Sequence, residues 1–208
     1  MENEKNFFGN KPEIFRLRED VPKIETQERQ SSEEIDESEP LWVDFQYGED
    51  KEKGIKSDGI ETFVISPISE ENLFSDKYLN CTGTVGIGRD KKNGKEIAFL
   101  SHQDPEYLLH KDPKNVEKFI EEFSKTLNEL VDKSEDKTVE VSIFGGNDDP
   151  LDSLSKKTSD YKKVVEILNK TTRDIIGYEP TIIEGPNHGE GAIDVTIIVQ
   201  ERKIIIEK

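Results

Sequence analysis

The sequence is poor in cysteine and histidine, and these shortages exclude several kinds of site. Only Cys81 carries a thiol among 208 residues, so we expect neither an internal disulfide nor a Cys-rich zinc site. The three histidines are dispersed, with no carboxylate at metal-ligand spacing, and we expect no metal and no other cofactor. Two roles therefore remain for the thiol, packing or reactivity.

Positive charge and long apolar runs are also scarce. The chain has 29 basic against 46 acidic residues and a formal net charge of -17. Since no stretch concentrates lysine and arginine, we expect no nucleic acid or anionic membrane as a partner. No stretch approaches the roughly 20 apolar residues of a membrane span, and the start has no signal-peptide pattern. We expect a cytoplasmic protein whose partner is another protein.

The first 40 residues differ in composition from the rest of the chain. They contain few aliphatic residues, three prolines and a run of serine, glutamate and aspartate. Such a segment buries too little apolar surface to offset the entropy of ordering. We therefore predict a disordered acidic arm over residues 1–40, able at most to order on a partner, and a single domain over residues 41–208.

The order of elements in this domain predicts the fold class. Strand patterns come first, followed by a helix, a strand, a second helix and three closing strands. An amphipathic helix is predicted after Asp112 and Pro113, and another from Tyr161 to a C-cap at Gly177. Residues 69–76 suggest one short helical turn. We predict an α+β fold, a layered α/β sandwich with mixed, largely antiparallel sheets covered by two amphipathic helices.

A hairpin connects the surroundings of the cysteine with those of one histidine. Residues 82–88 form a glycine-rich strand pattern, Asn93-Gly94 is a favoured turn pair, and residues 96–102 form the returning strand. Because the chain folds back on itself, Cys81 and His102 should lie at the same edge.

An imidazole within hydrogen-bond reach can take the proton of a thiol and turn it into a nucleophile. The glycines at 83, 86 and 88 would let backbone approach a ligand, and N–H groups beside Cys81 would serve as an oxyanion hole. The alternative is a buried thiol that only packs, since free cysteine is among the most buried residue types.

Other polar residues are weaker candidates for a site. Gln103 and Asp104 would line it or bind substrate, but we interpret residues 102–105 as a turn after the strand, ended by Pro105. His188 lies in a segment typical of a solvated turn. His110 has no metal-ligating companion in the sequence.

Three features of the sequence together resemble one known family. Ser75 stands six positions before Cys81, Arg89-Asp90 follows the strand after the cysteine, and the returning strand ends at His102. This pattern resembles the chemoreceptor glutamine deamidases of the CheD family, whose wider superfamily includes the cytotoxic necrotizing factor toxin domains. The resemblance extends over about residues 60–208 and includes the order of the downstream helices and strands.

The resemblance implies an activity and a role for each residue. Cys81 would attack the side-chain amide of a glutamine on a protein substrate, His102 would act as general base and then acid, and Ser75 would orient His102. The family's cysteine normally follows Gly-Ser, whereas Leu79-Asn80 precede Cys81 here. This difference leads to the alternative, a catalytically inactive module of the same fold that holds a protein partner with its pocket or its acidic arm.

Overall fold

The structure is a computed structural model of the chain, and it describes residues 12–16, 40–43, 54–55, 62–78, 81–145, 156–184 and 193–207. These residues form eleven strands and three helices. The strands are β1 (Glu13–Arg16), β2 (Leu41–Val43), β3 (Gly54–Ile55), β4 (Phe63–Ile65), β5 (Leu73–Tyr78), β6 (Thr82–Arg89), β7 (Glu96–Gln103), β8 (Glu140–Gly145), β9 (Thr181–Glu184), β10 (Ile193–Ile198) and β11 (Lys203–Glu207). The helices are α1 (Pro105–His110), α2 (Lys114–Lys133) and α3 (Lys156–Ile176).

The strands form two mixed sheets. The outer sheet has the order β1-β11-β10-β5-β2-β3, and the central sheet has the order β4-β7-β6-β8-β9. One apolar cluster lies between the two sheets and includes Val85, Leu100 and Ile197. A second cluster lies between the central sheet and the helices and includes Phe99, Phe123 and Leu168. The α+β layered sandwich predicted from the sequence is thus confirmed, with helices on one face of the central sheet.

The hairpin of β6 and β7 forms the middle of this architecture. Every residue of β7 and all of β6 except Arg89 are buried, because the helices cover one face and the outer sheet covers the other. Gly94 has a φ of 73° in the connecting turn, a conformation that glycine adopts without steric cost. The predicted hairpin is confirmed.

The helix boundaries differ from the prediction in three places. Pro105 begins the short helix α1 instead of ending a turn, and the Asp104 side chain caps it by accepting from Tyr107 N. Helix α2 begins at Lys114, although the Asp112 carboxylate still accepts from the Lys114 N–H. Helix α3 begins at Lys156, five residues before the predicted start at Tyr161. The described residues of the helical layer therefore form three helices instead of two.

Two segments are strands where the sequence suggested otherwise. Residues 73–78 form β5 instead of a helical turn, because β5 pairs with β10 on one side and β2 on the other. Glu13–Arg16 form β1, which pairs in parallel with β11. The expectation of disorder is wrong for these four residues, because backbone pairing with a sheet edge requires little apolar side-chain area. Apart from residues 12–16 and Pro40, the predicted arm lies outside the described residues.

Candidate functional site

The register of the central hairpin places Cys81 and His102 on one face. Gly83 pairs with His102, and Thr82 pairs with Gln103. Cys81 is the residue before β6, so it stands diagonal to His102, a relationship that separates Cα atoms by roughly 7–8 Å. Cys81 belongs to the cluster between the two sheets, the face to which His102 also points. The predicted proximity of the two residues therefore follows from the observed register.

Cys81 lies against the end of β8. Gly145 has a φ of 88°, and a Cβ at this position would lie 2.5 Å from the carbonyl oxygen of Cys81. Only glycine permits this approach between the two backbones. The thiol residue itself is 7% exposed. Cys81 is thus packed from the β8 side and held at the sheet end where β8 finishes.

Ser75 on β5 contacts His102 across the space between the sheets. Its Oγ lies 3.0 Å from Nδ1 of His102, and the same hydroxyl donates to the carbonyl oxygen of Val43. A serine hydroxyl has one proton to donate. Since that proton is directed to Val43, Ser75 Oγ accepts from His102, and Nδ1 carries the imidazole proton. The lone pair of neutral His102 is therefore on Nε2, the nitrogen that would receive a proton from another group.

A β-bulge allows two residues of β5 to face His102. The register with β10 shifts so that Val195 pairs with Ser75 and Ile193 pairs with Tyr78. Strict alternation would direct positions 75 and 78 to opposite faces, but the extra residue in β5 directs both inward. The ring of Tyr78 stacks on the imidazole of His102 with 3.9 Å between centroids and 21° between planes. The imidazole is thus contacted by a hydroxyl at its edge and by an aromatic ring on its face.

The electrostatic state of His102 follows from its burial. The residue is 3% exposed, and desolvation lowers the pKa of His102 to about 3. The imidazole is neutral across the physiological range. An imidazolium at His102 is therefore disfavoured in the resting protein, and the side chain near Cys81 is a neutral base.

The glycines of β6 do not leave the open space for a ligand that the sequence suggested. A Cβ at Gly83 would lie 2.4 Å from the ring of Phe144 and 2.8 Å from that of Tyr78. Cβ atoms at Gly86 and Gly88 would similarly collide with Phe99 and with Ser134. The expectation of close backbone approach to a ligand is wrong here, because large neighbouring side chains occupy the space that the glycines leave.

The remaining candidates that the structure describes lie away from this face. Gln103 is fully buried on the helix-facing side of β7, so it is neither a turn residue nor directed toward His102. Asp104 caps α1. His110 Nε2 lies 2.8 Å from Asp160 Oδ2, which joins α1 to α3. His188 is outside the described residues.

Two residues of the site were not predicted from the sequence. Tyr78 is separated from Ser75 by three positions, and only the bulge turns both toward His102. The carbonyl of Val43, 32 residues before Ser75, belongs to β2, which was not connected with the site. No local sequence signal distinguishes either residue, since both depend on strand pairings between distant segments.

Searches for other kinds of site gave no candidate in the described part of the chain. No group of three or more His, Cys, Asp or Glu side chains among those residues is placed to hold a metal ion. None of the three described helices is long and apolar enough to cross a membrane. Comparison of the sequence with protein-family models and with curated proteins found no match. The CheD-like interpretation therefore remains a prediction from the residues themselves.

Proposed function

We propose that this protein is a cysteine amidohydrolase that deamidates glutamine side chains of a protein substrate in the cytoplasm. Cys81 is the nucleophile, His102 is the general base and acid, and Ser75 holds His102. The observation that carries the proposal is the hydrogen-bond chain from His102 Nδ1 through Ser75 Oγ to the Val43 carbonyl. These two hydrogen bonds leave Nε2 as the proton acceptor of His102, as a nucleophile–base pair requires.

The reaction has two halves. In the first, Sγ of Cys81 attacks the amide carbon of glutamine while the thiol proton moves to Nε2 of His102. The imidazolium then protonates the amide nitrogen, the C–N bond breaks, and ammonia leaves a thioester on Cys81. In the second half, water attacks the thioester and gives a proton to His102. The C–S bond breaks, glutamate is released, and the thiol regains its proton.

The low pKa of His102 influences these two roles in opposite directions. A neutral imidazole with a pKa of about 3 is a weak base, so it assists the removal of the thiol proton only modestly. Its protonated form is correspondingly a strong acid, which favours protonation of the departing nitrogen. The larger contribution of His102 is therefore to the expulsion of ammonia.

A library of peptides containing glutamine in varied sequence contexts tests this proposal. Conversion of glutamine to glutamate, followed by mass spectrometry and by ammonia release, is expected with the full chain. It should be lost in Cys81→Ser and reduced by about 10²–10⁴-fold in His102→Gln, the range for a general acid–base group. His110→Gln is the matched control, because that histidine pairs with Asp160 elsewhere. Absence of conversion in every peptide, with an inert thiol, would contradict the proposal.

The second candidate function is a protein-binding module without catalysis. The observation in its favour is burial, since Cys81 is 7% and His102 is 3% exposed. A group that never meets substrate would pack in this way. The two candidates differ in a measurable property, because a catalytic thiol reacts with small electrophiles in the folded protein and a packing thiol does not.

A further inference from the structure

The ring of Tyr78 is in closer contact with His102 than packing between two apolar sheets requires. The stacked geometry, with 3.9 Å between centroids and 21° between planes, fixes the plane of the imidazole. Rotation about the last side-chain bond of His102 would break this stacking. Tyr78 is also fully buried, so its ring has little freedom to move away.

Three neighbours hold the Tyr78 ring in turn. Its hydroxyl donates to the carbonyl oxygen of Ser101 at 3.2 Å, one residue before His102. Phe144 contacts it edge-on, with centroids 5.3 Å apart and planes inclined by 72°. Gly83 leaves the space that both rings fill, since a Cβ there would lie 2.8 Å from Tyr78. The ring is therefore anchored to the strand that carries the histidine.

From this geometry we propose that Tyr78 is a positioning residue, whose stacked ring holds the imidazole of His102 in the plane where Nδ1 donates to Ser75. Ser75 alone defines one hydrogen-bond direction, around which the imidazole can tilt. The stacked ring restricts that tilt, because a buried aromatic pair has a defined separation and orientation. Together the two contacts keep Nε2 directed to one place, and this role rests on the proposed function of His102.

The test of this proposal measures the tautomer of the His102 imidazole and requires no substrate. Nitrogen-15 NMR of His102 in the full chain reports which ring nitrogen carries the proton. Wild type and Tyr78→Phe, which retains the ring, should show one tautomer with the proton on Nδ1. Tyr78→Leu should show averaged nitrogen signals, because the unsupported imidazole samples more than one orientation.

Ile197→Ala is the matched control. It creates a cavity in the same cluster between the sheets, but Ile197 pairs with Leu73 at the other end of β5 from Tyr78, so the single tautomer should persist. Gly83→Ala is a second variant for the case in which Tyr78→Leu does not fold. Its added Cβ displaces the rings of Tyr78 and Phe144, and it should reproduce the averaged signals without altering Tyr78 itself.

Cys81 labelling by iodoacetamide separates this inference from the proposed function. If the tautomer responds to Tyr78→Leu, the positioning role holds, even where labelling shows that Cys81 does not depend on His102 and the proposed function fails. If labelling falls in His102→Gln but the tautomer and labelling are unchanged in Tyr78→Leu, the positioning role is overturned. A tautomer that averages equally in Ile197→Ala would also overturn it.

Discussion

Ser75 Oγ lies 3.0 Å from Nδ1 of His102, although 27 residues separate the two in the chain. The contact joins the outer sheet to the central sheet beside the apolar cluster between them. Because Ser75 also donates to Val43, the contact determines the tautomer of the histidine. A buried polar network of this kind is stabilising only when its members are satisfied.

The first prediction concerns the hydroxyl of Ser75. Ser75→Ala leaves the buried Nδ1–H of His102 without its acceptor, so the imidazole should lose its single tautomer. Labelling of Cys81 by iodoacetamide should then fall by up to about tenfold, as expected for the loss of a weak general base. Ser75→Thr retains a hydroxyl and should recover most of the rate.

Ser101→Ala serves as the control for this substitution. Ser101 is also fully buried, and its Oγ accepts from the Thr84 N–H on the opposite face of the hairpin. It should reduce the free energy of unfolding by about 1 kcal/mol without slowing the labelling of Cys81. Equal effects of Ser75→Ala and Ser101→Ala on labelling would show that Ser75 acts only through packing.

The second prediction concerns the dependence of stability on pH. The pKa of His102 is about 3 in the folded protein, below the value of roughly 6.5 expected in the unfolded chain. Between these values the unfolded state binds more protons, so the free energy of unfolding rises with pH by about 1.4 kcal/mol per unit. The stabilisation is complete above the unfolded pKa and is lost as the pH falls toward 3, a total on the order of 5 kcal/mol.

Urea unfolding at several pH values measures this contribution. His102→Leu, which cannot bind a proton, should show a smaller slope in the acidic range than wild type. His110→Gln is the comparison, because its side chain is 39% exposed and its removal should leave the His102 contribution intact. Parallel curves for wild type and His102→Leu would contradict the burial of a neutral imidazole.

The third prediction uses the polar groups on the helix-facing side of the hairpin. Gln103 is fully buried, and neither its amide nitrogen nor its amide oxygen has a hydrogen-bond partner within the described structure. Gln103→Leu should therefore raise the free energy of unfolding by about 1–3 kcal/mol. Thr84→Val should act in the same direction, since Thr84 Oγ1 is also without a partner there. A loss of stability in both variants would show that bound water satisfies these groups.

The fourth prediction concerns a buried carboxylate at the other end of the hairpin. Glu96 is 7% exposed and contacts Arg89 Nη2 at 2.9 Å and Arg202 Nη1 at 2.5 Å. Glu96→Ala removes the carboxylate that pairs with the largely buried Arg202 and should cost ~3–5 kcal/mol of stability. Glu70→Ala breaks the exposed contact with Lys95 and should have a much smaller effect in the same thermal unfolding assay. Similar losses in the two variants would contradict this difference.

Local patterns in the sequence account for part of the fold. The Asn93-Gly94 turn between two strand patterns predicted the hairpin of β6 and β7, and the apolar stripe predicted α2. Both elements form from contacts close in sequence. Strand β5 was not predicted, because its pairing with β2 and β10 comes from segments far along the chain. Tertiary pairing there outweighs the local preference.

Local patterns likewise predicted only part of the candidate site. The hairpin alone placed Cys81 near His102, whereas the role of Ser75 came only from the resemblance to a family. Tyr78 was missed because a bulge, visible only in the register of β5 with β10, changes the face to which it points. The glycines of β6 were misread, because a sequence does not show whether the space above a glycine is open or filled by Phe144.

The labelling rate of Cys81 as a function of pH tests the central claim most directly. Iodoacetamide is applied to the native protein and to His102→Gln between about pH 5 and 9. Because neutral His102 assists removal of the thiol proton only modestly, we expect the rate in the native protein to start higher at the acidic end and to rise less steeply with pH than in His102→Gln. In His102→Gln the rate should rise about tenfold per pH unit, as for an ordinary thiol. The same steep rise in both proteins, or an inert thiol in both, would contradict the Cys81/His102 couple.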